Sequence, residues 1–218
     1  SRLKPRVEAP MNFAGESTCL LGETTPRRTM LHRIYVATVR EPLPARRCPA
    51  CFRTCPGMTT ISPAARRIIV NLGQLAVSAD QAESLATFSL GSCLGIAVYD
   101  PLVRVGGLLH VLLPDSTLSP ERATTAPALF IDTGIPLLFR ALYGLGADKY
   151  RVHIYVVGGA QLIDNAGVFS IGKRNYEALA ALLNKHKLRI RGEHVGGSIN
   201  RSLALHLGNG QVCVRVTG

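Results

Sequence analysis

Tryptophan is absent from the 218 residues, aromatic residues make up only 6%, and Asp and Glu number 14 against 25 Lys and Arg. With no aromatic-interleaved basic patch and no recognisable nucleic-acid motif, the excess of positive charge does not make nucleic acid an expected partner. No apolar run is long enough to span a bilayer and no secretory signal pattern is present, so no integral membrane segment is expected. Internal repeats are missing as well, which sets aside solenoids and propellers. The six cysteines include a Cys48, Cys51, Cys55 cluster in C-x2-C-x3-C spacing. That cluster lacks a fourth ligand: no second Cys or His pair completes a finger and His32 is badly spaced, so neither a metal nor any other cofactor is expected.

The charge that is present is unevenly placed. Through Arg67 the chain carries twelve Lys or Arg, four Glu and eight of the thirteen prolines, a net of +8 out of +11. Basic, Pro-rich sequence with scattered apolar residues buries too little surface to offset its ordering entropy. Residues 1–57 are therefore expected to be a disordered extension and residues 58–218 a single domain. Met58 stands at that boundary and offers an alternative start. The domain, of roughly 150 residues, is long enough for a sizeable core.

Its most informative feature is a cysteine and a histidine on neighbouring apolar runs. Leu94-Gly95-Ile96-Ala97-Val98-Tyr99 is broken by Asp100-Pro101, and Gly107-Leu108-Leu109-His110-Val111-Leu112-Leu113 ends at Pro114. Two β-prone runs around a breaker predict a hairpin. A turn centred at Pro101 and Leu102 sets Cys93 opposite His110. A shift of one residue sets Cys93 opposite Leu112 and leaves His110 as the diagonal neighbour on the same face. A thiol beside an imidazole is a nucleophile beside its base. The plainer reading is that a small buried Cys and a core His simply fill space. Gly91, Gly95, Gly106 and Gly107 favour the chemical reading, because glycine lets backbone approach closely and donate N–H groups to an oxyanion.

The segment from Thr87 to Asp100, with Leu90-Gly91-Ser92-Cys93-Leu94-Gly95 at its centre, followed by Gly106-Gly107-Leu108-Leu109-His110-Val111-Leu112-Leu113-Pro114, resembles the signature of the chemoreceptor glutamine deamidases, the CheD family. Val157-Gly158-Gly159-Ala160, Ile171-Gly172-Lys173-Arg174-Asn175 and Gly196-Gly197-Ser198-Ile199-Asn200-Arg201 resemble its later blocks, in order. The likeness runs from about Ile68 to the C-terminus and departs at Asn200, where a glycine is expected. The resemblance implies conversion of selected glutamines in the cytoplasmic helices of chemotaxis receptors to glutamate. The catalytic residues it implies are Cys93 as nucleophile, His110 as acid and base, and Thr87 orienting the imidazole. It also implies a cytoplasmic protein, chemotaxis receptors as partners, and in some members a CheC-type phosphatase.

Beyond the hairpin, helical spacing predicts helices over residues 126–145 and, capped by Ser170, 172–186. Strands are expected at 152–157, 188–194, 202–207 and 211–216, the last two joined as a hairpin through Gly208-Asn209-Gly210. The fold expected is α+β, a β-sandwich-like core of mixed or antiparallel strands flanked by helices. Alternative functions are a non-catalytic adaptor for receptors or a CheC-type phosphatase, a cysteine peptidase or transglutaminase-like enzyme, and a nucleic-acid module built on the basic extension.

Overall fold

A computed structural model describes residues 52–54, 66–161 and 170–217. Among these residues, ten strands form two five-stranded mixed sheets. The first sheet has the order β3 (Leu75–Ser78), β6 (Val105–Val111), β5 (Leu94–Asp100), β7 (His153–Gly158), β8 (Ile190–Val195). The second has the order β1 (Phe52–Thr54), β10 (Gln211–Thr217), β9 (Asn200–His206), β4 (Glu83–Thr87), β2 (Arg66–Ile69). Among the described residues there are three α-helices: α1 (Pro120–Thr125), α2 (Ile131–Tyr143) and α3 (Ile171–Lys185).

Alternation of side chains along the strands sorts the core into layers. Ala97, Tyr99, Leu108, Tyr155 and Val157 of the first sheet meet Leu85, Leu203, Leu205, Val212 and Val214 of the second in one buried cluster. Leu94, Ile96, Leu109 and Val156, on the opposite face of the first sheet, pack on Ile135, Leu138 and Leu142 of α2 and on Leu179 and Leu183 of α3. The arrangement is the expected α+β sandwich, with helices over one sheet. Gly106 and Gly107 are where these layers close up. A Cβ on Gly106 would lie 2.4 Å from Leu207 Cδ2 of the facing layer, and one on Gly107 would lie 2.7 Å from Leu138 Cδ1 of α2.

The hairpin takes the second of the two registers: Gly95 pairs with His110 and Leu94 with Val111, which sets Cys93 toward Leu112. Residues 101–104 form the loop, closed by Arg104 at φ 52°. The helix expected from residue 126 begins at Ile131, because Phe130 is extended and residues 129–131 are tied to Leu113 through Leu113 N to Leu129 O and Ile131 N to Leu113 O. Ser170 occupies the N-cap position of α3 without a side-chain capping bond. The hairpin from β9 to β10 forms as expected, with His206 opposite Gln211. Of the expected extension, only β1 falls among the described residues, pairing in parallel with β10. The rest of it, including Cys48, Cys51 and Cys55, lies outside them, as does Met58 at the expected boundary.

Topology decides where the site can be. At one end of the sandwich the chain passes between the sheets at residues 70–74, 88–93 and 196–199, whereas the passage at 79–82 is at the other end, and the first three are bonded to one another or to the strands beside them. Gly73 N donates to His110 O and His110 N to Gln74 O, Leu90 exchanges main-chain bonds with Arg201, and Gly196 N donates to Gly158 O. One end of the sandwich thus gathers Thr87, Cys93 and His110.

Candidate active site

Thr87 is the last residue of β4, Cys93 immediately precedes β5, and His110 lies near the end of β6. The passage between Thr87 and Cys93 reverses at Ser89, whose φ of 56° is a left-handed conformation that costs a non-glycine residue about 1–2 kcal/mol. Leu90 is then clamped to Arg201 by N–O contacts of 2.8 and 3.2 Å. On the other side, Gly159 N donates to Cys93 O at 2.8 Å and Ala160 N to Gly91 O at 2.7 Å. The nucleophile candidate is therefore held from both sheets.

His110 Nδ1 and Thr87 Oγ1 are 2.7 Å apart, a buried hydrogen bond across the gap between the sheets. With Nδ1 protonated, the ring donates to the Thr87 hydroxyl and carries its lone pair on Nε2, which is itself buried. Thr87 is fully buried, His110 is 3% exposed and Cys93 9%. Gly95, which pairs with His110, is small for a reason. A Cβ there would lie 2.9 Å from Leu203 Cδ2, 3.0 Å from Leu90 Cδ1 and 3.3 Å from the Thr87 methyl, so a larger residue would press on Thr87 itself. Cys93 and His110 are diagonal neighbours on one sheet face, whose Cβ atoms typically lie somewhat under about 7–8 Å apart. Phe88, 37% exposed, together with the exposed Ser89 and Ser92, rims this end of the molecule.

The role given to glycine N–H groups needs correction. Gly106 and Gly107 lie inside β6, paired to β5 on one side and β3 on the other, and Gly91 N donates to Ser89 O. Close packing between layers explains Gly106 and Gly107, as their Cβ positions show. The residues that spacing overlooked are Gly158 and Arg201. Gly158 has φ 120°, and a Cβ on it would stand 1.7 Å from Cys93 O, so only glycine fits against the nucleophile's carbonyl.

Two further regions carry no candidate chemistry. A groove of about 480 Å³ between α3 and β8, lined by Tyr176, Leu183, Leu188, Arg191 and Glu193, contains none of Thr87, Cys93 and His110. At the opposite end of the sheets, burial pushes the Asp100 carboxyl up, but Arg151 and the N–H groups of Asp148, Leu102 and Val103 outweigh it and hold the carboxyl below its ordinary value. This is a structural ion pair tying the hairpin loop to the start of β7.

Residues 112–216 match the family model described as CheD chemotactic sensory transduction, a stretch that begins just after His110. The "Probable chemoreceptor glutamine deamidase CheD 1" of Syntrophus aciditrophicus is 43% identical over 151 residues, 69% of this chain and 94% of that protein. The "Probable chemoreceptor glutamine deamidase CheD" of Solibacter usitatus is 42% identical over 152 residues, 70% of this chain and 90% of its own length. A relative from Anaeromyxobacter dehalogenans is 44% identical over 148 residues, 68% and 93% respectively.

Proposed function

The chain belongs to the CheD family, and from that membership and the placement of Thr87, Cys93 and His110 we propose that it hydrolyses glutamine side chains of chemotaxis receptors to glutamate. The observation that supports the reading is the buried Thr87–His110 hydrogen bond, which gives one imidazole nitrogen an orienting partner; the role of base is assigned to the other. An orienting group, a base and a nucleophile in sequence is the logic of triad enzymes.

The steps follow from those roles. His110 Nε2 takes the Cys93 proton, and the thiolate attacks the glutamine Cδ, placing negative charge on its oxygen. Collapse breaks the C–N bond while the imidazolium returns its proton to the departing ammonia. Water, deprotonated by His110, adds to the thioester, and cleavage of the C–S bond yields glutamate and the restored thiol. Thr87 keeps the ring in the tautomer and orientation that both proton transfers need. No metal or organic cofactor enters this scheme, and the catalytic unit is assigned to residues 58–218. The compartment is the cytoplasm, where the substrate helices lie; among the described residues no helix is long and apolar enough to cross a membrane.

The test is to incubate the protein with a receptor cytoplasmic fragment and follow ammonia release with mapping of mass changes at glutamine. A gain of about 1 Da, amide NH2 replaced by OH through the acyl-enzyme, supports the deamidase. Peptide cleavage or amine cross-linking assigns the same nucleophile to another reaction. Binding without turnover assigns an adaptor. Co-elution with a CheC-type phosphatase from the same organism tests that partnership separately.

A further inference from the structure

The block Gly196-Gly197-Ser198-Ile199-Asn200-Arg201 supplies no group to the chemistry above, yet its arginine is 3% exposed. A guanidinium does not give up its charge, so burying one demands hydrogen bonds from its surroundings. Arg201 Nε donates to His194 Nδ1 at 2.7 Å, Nη2 to Gly196 O at 2.5 Å, and Nη1 to Ile199 O at 3.1 Å and Gly158 O at 3.3 Å.

These acceptors lie at the end of β7, within and just after β8, and just before β9. Gly158 is directly beside the nucleophile's support, and Gly196 is bonded to Gly158 through its N–H. Gly158 is the residue whose backbone abuts Cys93 O, and Gly159 N is bonded to that same oxygen. The Arg201 main chain meanwhile holds Leu90, three residues before Cys93, in both directions. His194 shares a cross-strand row with Val157, Gly95 and His110, so the guanidinium is referenced to the strand row that carries the base.

We propose that Arg201 is a positioning residue for Cys93: one buried side chain fastens the Gly158 turn while its backbone fastens Leu90, fixing the thiol from both sides relative to His110. The planar fork is what makes this feasible, since an ammonium on a flexible stem does not reach divergent acceptors in one geometry. Asn200, where the family pattern leads one to expect glycine, leaves this network intact.

The activity readout rests on the deamidase reading; the thiol readout does not. Full-length wild type, Arg201→Lys, Arg201→Ala and His194→Ala are compared by thermal unfolding, by deamidation kinetics on a receptor fragment, and by the pH dependence of iodoacetamide alkylation at Cys93. Displacing the thiol by about 1 Å predicts a kcat loss on the order of 100-fold in Arg201→Lys, with KM changed far less. The alkylation midpoint rises toward the free-cysteine value of about 8.5. Ethylguanidinium added to Arg201→Ala restores part of both, and His194→Ala, which removes one acceptor and keeps the cation, shows a smaller change in the same direction. Folded variants with wild-type kcat and an unchanged alkylation profile overturn the proposal. If the Arg201 variants do not fold, an unchanged profile in His194→Ala does so. A wild type that deamidates nothing removes the deamidase reading, and the alkylation profiles alone then decide the role of Arg201.

Discussion

Replacing Thr87 with Val tests the orienting bond with almost no change of shape. Thr87 is fully buried and its partner nearly so, and in the tautomer with Nδ1 protonated the valine leaves that N–H without this acceptor. An unsatisfied buried donor costs about 1–3 kcal/mol, and the added methyl returns up to about 0.8 kcal/mol. A net loss of about 1–2 kcal/mol lowers the Tm of a domain this size by roughly 2–8 °C. The effect on turnover is larger. Loss of the carboxylate that orients a catalytic histidine costs about 10⁴-fold, and a neutral hydrogen bond is about half as strong as a charged one, so the expected kcat loss is on the order of 100-fold. Thr87→Ser supplies the contrast: it gives up a buried methyl worth about 0.8 kcal/mol but keeps the hydroxyl, and its kcat should stay within about tenfold of wild type. Ammonia release from a receptor fragment, normalised to folded protein by thermal unfolding, separates the two variants. A folded Thr87→Val enzyme with kcat within about threefold of wild type would refute the orienting role.

Gly158→Ala drives a Cβ against Cys93 O and should reduce kcat on the order of 100-fold, whereas Gly107→Ala, whose Cβ meets only side chains of α2 and β3, should lower Tm with kcat per folded molecule preserved; equal kcat losses in the two would contradict the assignment. Cys93 and Cys213 are both buried, at 9% and 4% exposure, so the imidazole rather than access should make Cys93 react faster with iodoacetamide, and His110→Ala should remove that advantage near neutral pH. Because the folded Asp100 carboxyl titrates below its unfolded value, its stabilising contribution is complete above about pH 4 and is lost as pH falls through the lower folded value. Asp100→Asn should therefore be less stable at neutral pH and show a shallower fall in Tm on acidification; parallel curves would contradict the pairing with Arg151.

The hairpin was legible because both partners sit within twenty residues of each other and a breaker marks the turn. Its register was not, since the loop closes on Arg104 at positive φ, a conformation that a non-glycine residue does not advertise. The glycines misled for a similar reason. Gly106 and Gly107 carry the same local signal as an oxyanion turn, and only the facing Leu207 and the underlying Leu138 show that they are there for packing. The helix start at Ile131 depends on Leu113, a contact invisible to periodicity. Thr87 was named through resemblance alone, because its partner is on the other sheet and 23 residues away. Arg201 is the extreme case: its acceptors come from Gly158, His194, Gly196 and Ile199, and no spacing rule connects them.

The central claim is that Cys93 converts receptor glutamine to glutamate. Mass mapping of a receptor cytoplasmic fragment after incubation with wild type and with Cys93→Ala, both verified as folded, tests it most directly. Gains of about 1 Da at discrete glutamines with wild type and none with Cys93→Ala are the expected result. Unmodified glutamines with wild type, or the same gains with Cys93→Ala, would contradict it.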